Sequence, residues 1–170
     1  DESPINPTPN IVFFEINGVK ICSLVWSQKV NNISYGTYTK FFYKLNNYSD
    51  WVIINDYSGD SSIFLSESNN NIIGGTHPDL CYLEDSTSLI YTWIKRDSNG
   101  YGNRVVFRGL NISSLDSTTS VLNYSLLSLL GVPTQWNTNI ISNSFNQYSP
   151  KIRSFKINDS SNIRKELFII

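Results

Sequence analysis

The chain has 170 residues, a net charge of −1 and a charged fraction of only 16%, against about 25% in an average soluble domain. This length suits one domain, and the 40% hydrophobic content excludes a disordered chain. The near-neutral charge provides no field that would recruit nucleic acid or an anionic membrane, so we expect neither as a partner. Ala and Met are both absent. The lack of Ala disfavours a helix-dominated fold, and the lack of an initiator Met predicts a segment of a longer precursor.

The N-terminal third contains the clearest local signal. Residues 1–10 hold three of the six prolines and predict an extended lead-in, with one domain over residues 11–170. Asn17-Gly18 then separates two β-branched and aromatic runs, residues 11–16 and 19–26. This pattern predicts a two-residue type I′ hairpin, because both turn residues need a positive φ.

Turn-rich spacers divide the rest of the chain into short apolar runs that predict strands. The further strand candidates are Thr37–Leu45, Asp50–Asn55, Ile63–Ser66, Leu80–Glu84, Leu89–Arg96, Arg104–Leu110, Asn139–Ser142, Ile152–Ile157 and Glu166–Ile170.

One segment predicts an α-helix over about residues 117–130. Asp116-Ser117 offers an N-cap, the apolar run Val121–Leu130 follows, and Gly131-Val132-Pro133 provides the stop. Apolar positions fall nearly all round the helical wheel, which is typical of a helix buried on most sides. The predicted fold is therefore β-rich (α+β), a mainly antiparallel β-sheet wrapped around one buried helix.

Catalytic, metal and cofactor chemistry finds little support in the residue inventory. His77 is the only histidine, and no G-x-S-x-G sequence accompanies it, so we expect no catalytic triad. One His and two distant Cys do not make a zinc site, and we predict neither a metal nor a cofactor. Cys22 and Cys81 are interpreted as buried free thiols, with a disulfide left open. Glu15 lies inside an apolar strand as a candidate inward acid, although such a residue more often faces solvent.

Recognition of a neutral ligand by aromatic and planar polar side chains fits the composition best, since sugars offer both hydroxyls and apolar C–H faces. The predicted site is a hairpin, with Trp51 beside Asp50 and Trp136-Asn137 as competing patches; packing in the core is the commoner role for each Trp. The hairpin site comprises Trp93, Arg96, Asp97, Tyr101, Asn103 and Arg104.

The chain as a whole has a Pro-rich start (residues 3–9), no Met, and many short strand candidates around one apolar helix candidate, Val121–Leu130. In these features it resembles the cell-attachment head of a rotavirus outer-capsid spike protein, most of all the group B lineage. The resemblance implies a sheet that clasps a helix, distinct from the galectin-like sandwich of the group A and C heads. It also implies a non-enzymatic lectin that binds glycans containing N-acetyllactosamine.

The same resemblance implies a place and partners. The domain would stand on the virion outer capsid after assembly in the host cytoplasm, and would bind host cell-surface glycans. The remainder of the spike protein would be its other partner, and this domain would not insert into a membrane.

Two alternative functions stay open. A protein-receptor-binding or adhesin domain without a sugar site would be favoured by an exposed apolar patch above a few hundred Å², and a glycan hydrolase by two facing carboxylates.

Overall fold

The computed structural model describes residues 9–30, 35–55, 59, 61–66, 74–96, 103–127, 130–131, 150–159 and 162–169. Its first sheet, sheet A, is antiparallel, with strand order β1-β2-β3-β4 and a short β5 that also pairs with β3. The strands are β1 (Asn10–Ile16), β2 (Val19–Lys29), β3 (Tyr35–Lys44), β4 (Val52–Ile54) and β5 (Ile63–Phe64).

The predicted Asn-Gly hairpin is confirmed. Ile16 pairs with Val19 across the turn, and the turn residues Asn17 and Gly18 have φ values of 51° and 80°. Two consecutive positive φ values define a type I′ turn, whose twist matches that of the flanking strands. A purely local signal therefore starts sheet A.

The second sheet, sheet B, is also antiparallel and has strand order β10-β8-β7-β6, with β9 pairing with β8. A separate C-terminal hairpin, β11–β12, lies against β6. A short 3₁₀ helix, Glu84–Ser86, connects β6 to β7. The strands are β6 (Gly74–Leu83), β7 (Ser88–Arg96), β8 (Asn103–Asp116), β9 (Val121–Leu126), β10 (Leu130–Gly131), β11 (Ile152–Asp159) and β12 (Asn162–Ile169).

The hydrophobic core lies between the two sheets. Phe41 from sheet A and Trp93 from sheet B are each 1% exposed. Tyr91 of sheet B is fully buried, and its hydroxyl lies 3.1 Å from both Ser23 Oγ and Thr39 Oγ1 of sheet A. Both sheets contribute to the core cluster: Phe14, Ile21, Val25, Phe41, Tyr43, Ile54, Ile63, Leu65, Leu80, Leu89, Tyr91, Trp93, Val106, Leu110, Ile112 and Leu122.

The predicted helix over residues 117–130 is wrong. Residues 121–126 form β9, which pairs with the end of β8 from Leu110 to Asp116. Leu122 is buried and Ser125 is exposed, so the segment follows the two-residue alternation of a strand.

Asp116, which the sequence suggested as a helix N-cap, caps a turn instead. Its carboxylate accepts N–H bonds from Thr118 and Thr119 at 2.9 and 3.4 Å, a pattern that Asp makes in turns as well as at helix N-termini.

Without that helix, the architecture differs from the expected one. Among the described residues there is no α-helix, and the core is enclosed by two facing sheets rather than by one sheet around a helix. The fold is thus a β-sandwich, although each sheet is built from consecutive strands and no described strand crosses between sheets. This meander order differs from a Greek key, in which a strand returns beside an earlier one.

The predicted strands that fall within the described residues all coincide with observed strands, with shifted bounds. The Asn139–Ser142 candidate and most of the residues 1–10 lead-in lie outside the described residues. In the described part of the chain, no helix is long and apolar enough to cross a membrane.

Candidate functional site

Trp93 does not belong to a binding surface, so its assignment to the predicted site is wrong. Its side chain is 1% exposed and faces sheet A, on the same side of β7 as Tyr91. Alternate residues of a strand share a face, so the core position of Tyr91 places Trp93 in the core as well. The ring packs there and does not reach a ligand.

The other members of the predicted hairpin site remain a prediction. Arg96 pairs with Asn103, and Lys95 with Arg104, at the end where β7 leads into β8. The backbone therefore brings Arg96, Asn103 and Arg104 together. Asp97 and Tyr101 lie outside the described residues, as does the competing pair Trp136-Asn137.

The structure also places the other candidate reactive residues. Glu15 is exposed on β1, so it is not an inward-facing acid. His77 lies in an irregular part of β6 with a φ of 53°. Among the described residues, no three His, Cys, Asp or Glu side chains gather where they would hold a metal ion.

Both cysteines are free and buried, as predicted. Burial, with a smaller contribution from the Asp79 carboxylate, raises the pKa of the Cys81 thiol to about 11, although Arg153 and a backbone hydrogen bond act against it. Burial also raises the pKa of Cys22. Since the thiolate is the reactive form, neither side chain is poised as a nucleophile.

Exposed aromatic rings converge at one end of the outer face of sheet A. Phe13 of β1 is 62% exposed and Trp51, just before β4, is 42% exposed. Their ring centroids lie 5.8 Å apart with the planes tilted by 51°. Phe14 faces the core, so its neighbour Phe13 must face outward. The two rings form an open, angled apolar surface.

The β3–β4 connection adds a third ring and a polar group to this end. Tyr48 is 99% exposed. Asn46 Oδ1 accepts the N–H groups of Tyr48 and Ser49, each at 2.9 Å, and these bonds shape the turn as Asn side chains often do. Lys20 Nζ of β2 donates to Asn47 Oδ1 at 2.7 Å, which ties the loop to the sheet. We name Phe13, Tyr48, Trp51, Lys20 and Asn47 the aromatic site.

Charges around the aromatic site are balanced. Lys20 pairs across the sheet with Glu15 on one side and with Lys44 on the other, and the exposed Asp50 immediately precedes Trp51. Two acids and two bases therefore surround the rings. Flat apolar surfaces beside amide, ammonium and carboxylate groups match the C–H faces and hydroxyls of a neutral sugar.

The aromatic site continues into a wider apolar surface on sheet A. Ile11 is 53% exposed and Ile53 is 43% exposed, and both lie on the same outer face. Farther along this face, Trp26 stacks on Tyr38 at 5.8 Å, and Tyr38 contacts the Phe64 ring at 5.0 Å. These three rings are half-buried and pack against one another, so they expose less area to a ligand than Phe13 and Trp51 do.

The aromatic site and the predicted hairpin site lie at opposite ends of β8. Tyr43, near the end of β3, donates to Ser117 O at 3.3 Å, and Asn55 N–H donates to Ser120 O at 3.0 Å. These bonds place the β3–β4 side of sheet A beside the β8–β9 turn. Asn103, in contrast, begins β8 at its other end.

Sequence reasoning named Trp51 and Asp50 as a competing patch but missed Phe13, Tyr48, Lys20 and Asn47. One available signal was the Phe13-Phe14 pair, because two consecutive residues of a strand face opposite sides and only one of them enters a one-sided core. The approach of Phe13 to Trp51 had no local signal, since 37 residues separate them.

Comparison of the chain with known family models, with curated proteins and with solved structures finds no match.

Proposed function

We propose that this domain is a glycan-binding attachment module. The single observation that supports it is the aromatic site, where the exposed Phe13 and Trp51 rings lie 5.8 Å apart. The loop that precedes Trp51 carries the exposed Tyr48 and the Lys20–Asn47 hydrogen bond. An aromatic ring covers the apolar face of a sugar, while amide and ammonium groups bind its hydroxyls. The function needs no catalytic group, and the site would hold its ligand without changing it.

The ligand class we propose is a neutral glycan of the N-acetyllactosamine type. The balanced charges of Glu15, Lys20, Lys44 and Asp50 suit a ligand without a net charge better than a densely anionic one. The biological setting follows from the resemblance to rotavirus spike heads. In that setting the domain binds host cell-surface glycans from the virion outer capsid, and the rest of the spike protein is its covalent neighbour.

The site is shallow, so a single copy would bind weakly. Trp51 is 42% exposed, which for a side chain of roughly 250 Å² leaves on the order of 100 Å² to cover. At about 25 cal/mol per Å², full coverage contributes at most ~2.5 kcal/mol. Display of many copies on one particle would raise the overall avidity by orders of magnitude.

The experiment is a glycan array probed with the domain on a multivalent scaffold. We expect selective binding to lactosamine-terminated glycans. Trp51→Ala should weaken it by about tenfold or more, the loss of roughly 1.4 kcal/mol or more. Tyr48→Ala should also weaken it, and because Tyr48 is 99% exposed this variant leaves the fold intact. A blank array at high valency would refute the proposal.

Two control variants sharpen that result. Leu45→Ala removes an exposed aliphatic side chain of the same loop, 52% exposed, and separates ring stacking from general apolar contact. Tyr101→Ala tests the β7–β8 hairpin site in the same assay. Loss of binding in Tyr101→Ala with full binding in Trp51→Ala would move the sugar site to that hairpin.

A second candidate function, binding of a protein receptor, is favoured by the aliphatic side of the patch. Ile11 and Ile53 extend the exposed surface beyond Phe13 and Trp51. Together the four side chains expose on the order of 400 Å², within the range of roughly 300–600 Å² for the largest patch on a monomer. Binding to cells that survives enzymatic removal of surface glycans, and is lost after protease treatment of the cells, would support this candidate.

A further inference from the structure

Within the part of the chain that the structure describes, strand β1 forms an open edge of sheet A. It pairs with β2 along its whole length and with no other described strand. Among the described residues, no loop makes a backbone hydrogen bond to its other side. An open edge presents a row of N–H and C=O groups that another strand can pair with.

The hairpin register tells which residues carry these open groups. In a two-residue hairpin the residues flanking the turn, Ile16 and Val19, form a hydrogen-bonded pair. Hydrogen bonding then alternates along β1, so even-numbered residues bond to β2. Ile11, Phe13 and Glu15 direct their N–H and C=O groups outward, and all three side chains are exposed.

This edge has few of the features that usually protect edge strands. β1 has seven residues, with no proline, glycine, lysine or register shift. The edge strand of sheet B on the same side of the sandwich, β6, contains Pro78 and two register shifts. Prolines, bulges and charged side chains are devices that block strand addition; β6 has a proline and bulges, whereas β1 has only the charge of Glu15.

We propose that β1 pairs with β1 of a second copy of this chain, antiparallel, with the two Phe13 residues opposite each other. This register makes Ile11 of each copy face Glu15 of the other. It forms three hydrogen-bonded residue pairs that exchange two bonds each, about six backbone hydrogen bonds. The two five-stranded sheets become one continuous sheet around a twofold axis.

A second copy is assigned as the partner because this register covers exposed apolar side chains, those of Ile11 (53% exposed) and Phe13 (62% exposed), with the same side chains of the other copy. All three outward-directed residues of one β1 find a hydrogen-bonded counterpart on the other. The exposed side chains of Ile11 and Phe13 then cover one another across the new strand pair. The two Glu15 carboxylates stay four residues apart, about 14 Å, which is beyond the screening length of about 10 Å at 0.1 M salt.

This pairing stands independently of the glycan proposal. If both are correct, the pairing sets two aromatic sites side by side across the twofold axis, because each includes Phe13. A dimer would then present two sugar sites on one surface, and its avidity would exceed that of a single site.

The test combines sedimentation velocity with backbone amide exchange over protein concentrations from about 1 to 500 μM. We expect a reversible monomer–dimer equilibrium and concentration-dependent protection of the Ile11, Phe13 and Glu15 amides. The amides of Val12 and Phe14, already bonded to β2, should not change. A monomer throughout the range would overturn the proposal, as would a dimer that leaves the three outward amides unprotected.

Charge variants test the register itself. Ile11→Lys places an ammonium group opposite Glu15 of the second copy, and Ile11→Glu places a like charge there, while both remove the same apolar side chain. Two such pairs form per dimer, so the dimer dissociation constants of the two variants should differ by about tenfold, with Ile11→Lys the tighter. High salt should reduce the difference.

Val30 provides the matched control. It is 53% exposed, as Ile11 is, but it lies beyond the end of β2 and away from the open edge. Val30→Lys and Val30→Glu should give equal dimer dissociation constants. Equal dissociation constants for the two Ile11 variants, with circular dichroism reporting folded protein, would overturn the assigned register.

Discussion

Removal of one buried hydroxyl tests the packing of the two sheets. Tyr91→Phe deletes the only atom of that side chain that makes a polar contact between them. The hydroxyl lies 3.1 Å from Ser23 Oγ and 3.1 Å from Thr39 Oγ1, and these two oxygens lie 3.0 Å from each other. Thr39 also donates its own proton to Leu24 O at 3.0 Å.

The number of hydroxyl protons available to Tyr91, Ser23 and Thr39 determines how much stability Tyr91→Phe should lose. With the Thr39 proton committed to Leu24 O, two protons remain for the three contacts among the hydroxyls, so only two of these contacts are hydrogen bonds at one time. In Tyr91→Phe, Ser23 still donates to Thr39 and no buried donor is orphaned. Two hydrogen bonds among the three hydroxyls thus become one, and the loss of one net hydrogen bond predicts a loss of about 0.5–1.5 kcal/mol in unfolding free energy.

Urea unfolding followed by tryptophan fluorescence measures this loss, and a thermal midpoint lower by about 1–6 °C should accompany it. Tyr43→Phe is the matched control. Its hydroxyl bonds at 3.0 and 3.3 Å to Ser120 and Ser117 at the partly buried edge, and we expect a smaller cost. A Tyr91→Phe cost below about 0.3 kcal/mol, or above about 3 kcal/mol, would contradict the proton count, because the former needs no hydrogen bond and the latter needs an orphaned group.

Three further predictions concern titration and the C-terminal hairpin. Burial raises the pKa of Tyr91 and of Cys81, so both side chains stay protonated in the folded protein when they already ionise in the unfolded chain. The urea midpoint of unfolding should therefore fall as pH rises through about 9 to 11. In Tyr91→Phe this fall with pH should be less steep. Hydrogen bonds from Thr118 and Thr119 lower the pKa of Asp116 to about 2. The ionised carboxylate therefore stabilises the folded protein above about pH 4, and this stabilisation is lost as pH falls toward 2. Unfolding of Asp116→Asn should lack this pH dependence. Asp79 accepts hydrogen bonds from Ile152 N–H at 3.0 Å and from the Arg153 guanidinium at 2.9 Å. Asp79→Asn should lower the free energy of unfolding by about 1–2 kcal/mol and speed backbone amide exchange in β11. Unchanged amide exchange in β11 would contradict this role of Asp79.

Local chemistry was readable from the sequence wherever a few neighbouring residues decide the backbone. Asn17-Gly18 accommodates two positive φ values at low cost, so the turn and the two strands around it were predictable with their register. Asp116 was equally readable as a residue that bonds the backbone just after it. Its carboxylate makes nearly the same local bonds in a helix cap and in a turn, so it marked a start without telling which element follows.

Tertiary structure decided what those local signals left open. The run after Ser120 became a strand because β8 offers it a partner and because Leu122 enters the core while Ser125 meets water. The sidedness of β7 put Trp93 into the core and removed it from the predicted site. Phe13 and Trp51 meet across sheet A from distant parts of the chain. Contacts of this kind depend on how strands are ordered and which face is covered, and a periodicity of two allows either face until the opposing sheet is in place.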